Sequence, residues 1–230
     1  MKYLQSRALF SFFKRTDIEQ MLILCSAFSI GLMVFRIIYT GHLLFAFLVW
    51  NLFLAFLPYA ISKKINEGSI DKKWKFIFCA LVWVIFLPNS FYIITDLFHL
   101  EMNEDVPLWY DLALLWSFAW NGLLFGILSV RHMEIVFEKQ LRKNLDLFFV
   151  LPIMALNGFG VYIGRYMRFN SWDVLTNPFQ LINDVVYLFI HPIRNRFDWS
   201  MIVCYTILLT LVYYTFKRMT YKKRDALASL

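Results

Sequence analysis

The sequence predicts an all-α membrane protein: six transmembrane helices in one bundle, both termini cytoplasmic, and a short interfacial helix in the last outer loop. Three observations carry this. Of 230 residues, 60% are hydrophobic and 20% aromatic, whereas a soluble domain is about 45–50% apolar. Several apolar runs reach the roughly 20 residues that cross a bilayer. The basic residues fall in alternate connections, as the positive-inside rule requires.

The spans follow in order. The first, at about 18–40, comes after a segment carrying Lys2, Arg7, Lys14 and Arg15. A short outer loop with His42 leads to the second, at about 43–61. A connection bearing Lys63, Lys64, Lys72, Lys73 and Lys75 precedes the third, at about 74–94, where Pro88-Asn89 is expected to break the helix. The fourth lies at about 108–130 and the fifth at about 145–163. Between them sits "SVRHMEIVFEKQLRKNLD", read as an amphipathic segment lying on lipid. The sixth lies at about 199–216, followed by a tail with Lys217, Arg218, Lys222, Lys223 and Arg224. Each span is expected to be helical, because a backbone in lipid must satisfy its own hydrogen bonds.

The stretch 177–191, "NPFQLINDVVYLFIH", is too short to span and holds Asn183 and Asp184 in its middle. Pro178 suits a first helical position and Asn177 a cap. Phe179, Ile182, Val185, Val186 and Phe189 recur at helical spacing, as an in-plane helix over about 178–191 needs. A seventh span would place the basic tail outside, against the charge balance. With neither linker nor internal repeat, residues 1–230 are expected to form a single membrane domain.

Eighteen of the 23 basic residues belong to the inner segments, including Arg131, Lys139, Arg142 and Lys143. The outer side has only Arg36, Arg165, Arg168, Arg194 and Arg196. The run "FLPNSFYIITDLFHLEMNEDVPLWYD", from Phe86 to Asp111, has neither Lys nor Arg, since positive charge beside a span resists translocation. The net charge of +7 is then inner-face charge. Its partners are the lipid bilayer and anionic lipid headgroups, not nucleic acid. No cleavable signal peptide is expected, because the first apolar run is span-length with no small-residue cleavage site after it. Cys25, Cys79 and Cys204 lie within spans and match no metal or disulfide pattern.

Polar groups in or beside spans are costly and suggest function. Here they collect on the outer side: Asn89, Asp96 and His99 from span three, Asp111 from span four, and Arg165, Arg168, Asn170, Trp172 and Asp173 after span five. Asp96 and His99, three apart, share a helical face. That spacing serves an acid–base pair, in which the carboxylate orients the imidazole, or two metal ligands; capping and a surface ion pair explain it equally well. His42, His99 and His191 with Asp96 or Asp111 lack recognisable zinc spacing, so no metal site and no cofactor is assigned. Arg165 and Arg168 also share a face, from which they could grip a carboxylate or phosphate, or pair with Asp96, Asp111 or Asp173. "NGFGVYIG" lacks the βαβ context of a nucleotide fingerprint; Gly160 and Gly164 read as a close-packing pair.

Two blocks, "FLPNSFYIITDLFHL" and "GVYIGRYMRFNSWDVLTNP", resemble the bacterial integral-membrane family catalogued as domain of unknown function 1361. The matching residues are Pro88, Asn89, Thr95, Asp96 and His99, then Gly164, Arg165, Arg168, Asn170, Ser171, Trp172 and Asp173. Ser90-Phe91 stands where the family often has Ala-Pro. The resemblance implies a bacterial cytoplasmic membrane location and no established activity. Three functions stay open. The first is an outward pocket between spans three, four and five that binds or acts on an anionic lipid-linked or envelope substrate, with 166–198 as its rim. The second is a small-solute transporter, for which only Asn51, Asn121 and Asn157 offer polarity at mid-membrane. The third is an assembly partner with a structural polar cluster.

Overall fold

The computed structural model describes residues 16–70, 72–101, 106–142, 146–169 and 176–228, with side chains through Met219. Helix α1 is Asp17–Thr40. The Thr16 hydroxyl accepts from the Glu19 amide, and Gly41 (φ 71°) turns left-handed to close the other end. Helix α2 is Phe47–Asn66, shifted toward the C-terminus from the expected 43–61. The apolar residues after Gly41 wind into a turn, with the Ala46 amide on the Leu43 carbonyl. That turn buries Phe45 under Arg36.

Helix α3 is Lys73–Tyr92. The expected break at Pro88-Asn89 does not occur there: the helix runs through Pro88 and then tightens into a 3-10 segment, Ile93–His99. The Asn89 side-chain amide donates to the Phe86 carbonyl at 3.0 Å, and Gly160 of the facing helix leaves room for the proline ring. Helix α4 is Leu108–Leu141. Its last eleven residues correct the lipid-lying reading of the segment after Val130: they continue the same helix, and Met133 and Glu134 are fully buried. Helix α5 is Asp146–Arg165, α6 is Pro178–Ile190 and α7 is Arg196–Ala228. Asn177 precedes α6 but makes no capping bond; its amide donates to the Gln180 side chain.

Among the described residues, six of the seven helices are long and apolar enough to cross a membrane; α6 is not. Phe148, Phe179 and Ile193 are at least 80% exposed, a surface that water would not tolerate in a stable monomer but lipid would.

α4 is the hub. Two-thirds of its apolar window is buried, against 22% for α1. It packs against α1, α2 and α3, while α5 packs against α3 and α7. One core joins Trp83, Leu87 and Phe91 of α3 to Val130, Met154 and Tyr213 of its neighbours. A second joins Leu48, Leu52 and Ala55 of α2 to Leu114, Leu115 and Phe118 of α4. Where helices approach most closely, glycine makes it possible. A Cβ on Gly126 would lie 2.6 Å from the Phe91 ring, and one on Gly160 would lie 2.6 Å from Pro88. Gly164 sits against Tyr92 in the same way.

Contacts also orient the helices. Arg36 meets Asp111, and Ser26 meets Asn121, so α1 and α4 run antiparallel. Gly158 of α5 meets Thr206 of α7 while Asp146 meets Tyr214, so α5 and α7 run antiparallel. Gly160 and Gly164 of α5 meet Pro88 and Tyr92 of α3, so those two run parallel. Trp83 and Phe91 of α3 meet Ser129 and Gly126 of α4, so α3 is antiparallel to α4, and α7 is therefore parallel to α4. The chain therefore enters α1 and leaves α7 at one end of the bundle, called proximal; the opposite end is distal.

Candidate functional site

The distal end gathers most of the sequence-predicted residues. Asp96 and His99 sit in the 3-10 segment, where residues three apart eclipse. They nevertheless have different partners. The Asp96 carboxylate is 1% exposed and accepts from the Asn51 amide of α2 at 2.8 Å. The His99 ring is exposed, lies 3.1 Å through Nε2 from an Arg165 guanidinium nitrogen, and packs edge-on against Phe47. Arg165 also lies over the Phe98 ring at 5.2 Å, a favourable seat for a guanidinium. In place of an acid–imidazole pair, the structure has an Asn51–Asp96 unit and a His99–Arg165 unit on one short turn.

Arg165 ends α5, so Arg168 does not share its helical face as expected. The Phe169 amide returns to the Ile163 carbonyl at 3.3 Å, and Arg168 takes a left-handed φ of 59° in the closing loop. Such a backbone costs a non-glycine residue about 1 kcal/mol or more. Its side chain is exposed. Asn170, Trp172 and Asp173 lie outside the described residues.

Asp111 is accounted for differently. Both its oxygens accept from Arg36, Oδ1 from Nε at 2.7 Å and Oδ2 from an Nη at 3.0 Å. Both side chains are at most 3% exposed, and Arg36 also lies 4.6 Å from the Phe45 ring centre. This bidentate pair welds α1 to α4, helped by the Tyr110 hydroxyl on the Leu32 carbonyl. Its signal in the sequence was a cation inside an apolar run, which demands a buried partner.

Beside the 3-10 segment lies a cleft of about 340 Å³. It opens between α2, α3, α5 and α6, with no residue of α4 in its lining, so it is not the expected space between spans three, four and five. Asn51 and Asn89 supply its amides, Trp50 and Tyr92 its amphipathic rings, and Gly160 and Gly164 its floor. Asn51 thus faces the cleft while holding the buried Asp96. Arg165 follows directly on Gly164. The remaining wall is apolar, including Leu54, Ile85 and Phe159.

The model of one family, described as "Protein of unknown function (DUF1361)", matches residues 50–212. The chain belongs to that family. The DUF1361 match holds Asn51, Asn89, Asp96, His99, Arg165 and Arg168 and leaves α1, with Arg36, outside. No curated protein and no solved structure matches the chain.

Sequence reasoning missed the polar network at the proximal end. Glu134, fully buried, accepts from Arg131, from the Tyr213 hydroxyl at 2.6 Å and from the Lys217 ammonium at 2.6 Å. Lys217 also reaches Asp146 at 2.8 Å. His132 lies 3.3 Å from the Ser62 hydroxyl and against Tyr59. Asn121 bridges α4 to α1 through Ser26 and Ser29. Among the described residues no three His, Cys, Asp or Glu side chains converge as metal ligands would.

Proposed function

We propose that the chain is a multi-pass protein of the bacterial cytoplasmic membrane, with both termini in the cytoplasm and the distal end facing outward. There the cleft beside Asn51 and Asn89 takes an amphipathic, anionic, lipid-linked or envelope substrate. Its apolar part lies against Leu54, Ile85 and Phe159. Its anionic group meets Arg165 and Arg168, and Asn170, Trp172 and Asp173 are further candidate binding residues. Asp96 and His99 form the candidate reaction centre: exposed His99 is the group able to exchange a proton with substrate, and buried Asp96 acts through Asn51, which lines the cleft.

One observation supports this reading most. Arg165 is fixed by His99 and Phe98 beside a cleft whose wall is apolar apart from the Asn51 and Asn89 carboxamides and the polar edges of Trp50 and Tyr92. A guanidinium beside a greasy cleft matches a molecule with an anionic head and an apolar tail.

The test has two parts. Protein extracted in mild detergent is inventoried for bound lipids and metals by mass spectrometry. Asp96→Asn and Arg168→Ala are then compared with the parent for accumulation and for the host phenotype. The proposal expects an anionic amphiphile on the parent, its loss from Arg168→Ala, normal accumulation of both variants and loss of the phenotype. Failure of both variants to accumulate would mark the cluster as architectural. Cysteine labelling that placed positions 96 and 173 on opposite membrane surfaces would dismantle the site itself.

A further inference from the structure

A second cavity, independent of the distal cleft, lies between α1 and α2. These helices are joined by a short turn, yet α1 packs on α4, and α2 packs on α3 and α4. The gap is a groove of about 720 Å³ with apolar walls that include Ile30, Leu52, Phe53, Phe56 and Phe125. Charge appears only at its proximal mouth, where Glu19, Lys63, Lys64 and Glu67 meet. The uncharged part of its lining on α2 runs from Val49 to Ala60, about 16 Å at 1.5 Å per residue and about half of a roughly 30 Å hydrocarbon core, with the charged mouth beyond it. The groove therefore has the length and polarity of one lipid leaflet.

The mouth narrows the choice of lipid. Lys63 is bound to Glu19 across the groove and lies 3.7 Å from Glu67. Lys64 is exposed and has no ion-pair partner among the described residues. The Glu67 side chain is about half exposed. Lys64 and Glu67 stand one helical turn apart, a spacing that brings side chains to one face. Two lysines and two glutamates are formally neutral together, so a headgroup carrying both signs suits the mouth better than a purely anionic one.

We propose that this groove holds a zwitterionic aminophospholipid. Its acyl chains lie between α1 and α2, its phosphate on Lys64 and its ammonium on Glu67.

The test uses the full chain, delipidated and then exposed to mixed micelles of dioleoyl phosphatidylethanolamine and dioleoyl phosphatidylglycerol. Native mass spectrometry reads which lipid stays bound. The expected result is one retained phosphatidylethanolamine, favoured over phosphatidylglycerol. Charge reversal in Lys64→Glu should cut retention about tenfold, the loss of one charged contact. Ala27→Trp, which fills the groove, should abolish it while the melting temperature shows an intact fold. Equal retention of both lipids, or unchanged retention by Lys64→Glu, overturns the proposal. So does retention only by a chain shortened to begin at Thr16, which would assign the groove to residues 1–15. Arg168→Ala, which probes the distal cleft, should leave this lipid in place, so the two sites fail separately.

Discussion

Replacing Arg36 by Met removes one half of a buried, bidentate ion pair. The Asp111 carboxylate would remain with both oxygens stripped of their 2.7 and 3.0 Å donors, in a site where its side chain is 3% exposed. An uncompensated charge in such a place costs about 3–5 kcal/mol. Asp111→Leu should cost a similar amount, because it strands the guanidinium instead. Arg36→Lys should fall between, since an ammonium cannot reproduce the two-pronged geometry or the stacking on Phe45. The double variant Arg36→Met/Asp111→Leu removes both charges and should return to within about 1 kcal/mol of the parent, as apolar replacements of buried pairs often do. Reversible unfolding in mixed micelles with added dodecyl sulfate, followed by the fluorescence of the eight tryptophans, measures all four. The expected coupling is at least about 3 kcal/mol. Single variants that each cost less than about 1 kcal/mol would behave like an exposed pair and would refute the argument that this site is dry.

Two further comparisons use internal controls. Gly126→Ala should destabilise by about 1–3 kcal/mol, because its methyl would press on the buried Phe91 ring. Gly31→Ala, with nothing within 4 Å, should be neutral or stabilise by up to about 1 kcal/mol; the same unfolding assay reads both. Tyr213→Phe should cost about 1.5–3 kcal/mol, since its hydroxyl donates to the fully buried Glu134. Tyr214→Phe, whose partner Asp146 is half exposed, should cost less than about 1 kcal/mol; equal losses would contradict the burial of Glu134.

The six spans were legible because a bilayer imposes one length scale on every apolar run, and each long helix answers to one. Register was less legible. Residues 43–46 are as apolar as a span, so nothing in their composition reveals the turn after Gly41. The end of α4 was illegible for another reason. The charges after Val130 look like a solvated face, but Glu134 finds Lys217 83 residues later, and a single sequence does not announce that pairing. The distal candidates show the same divide. Asp96, His99 and Arg165 stood out as costly residues beside spans. That Asp96 belongs to Asn51 and His99 to Arg165 depends on how α2 and α5 lean against the 3-10 turn, which no spacing rule encodes. Asn51 was placed at mid-membrane only because α2 was expected to start too early.

The attachment of α1 has a consequence for biogenesis. Ser26, Ser29 and Arg36 all find their partners on α4, and Arg36 precedes Asp111 by 75 residues. At roughly 5–20 residues per second, a ribosome needs about 4–15 s to make that interval. During those seconds the Arg36 guanidinium lacks the Asp111 carboxylate that meets it in the folded chain. The first helix must linger beside the translocon, or borrow a lipid phosphate, until the fourth arrives.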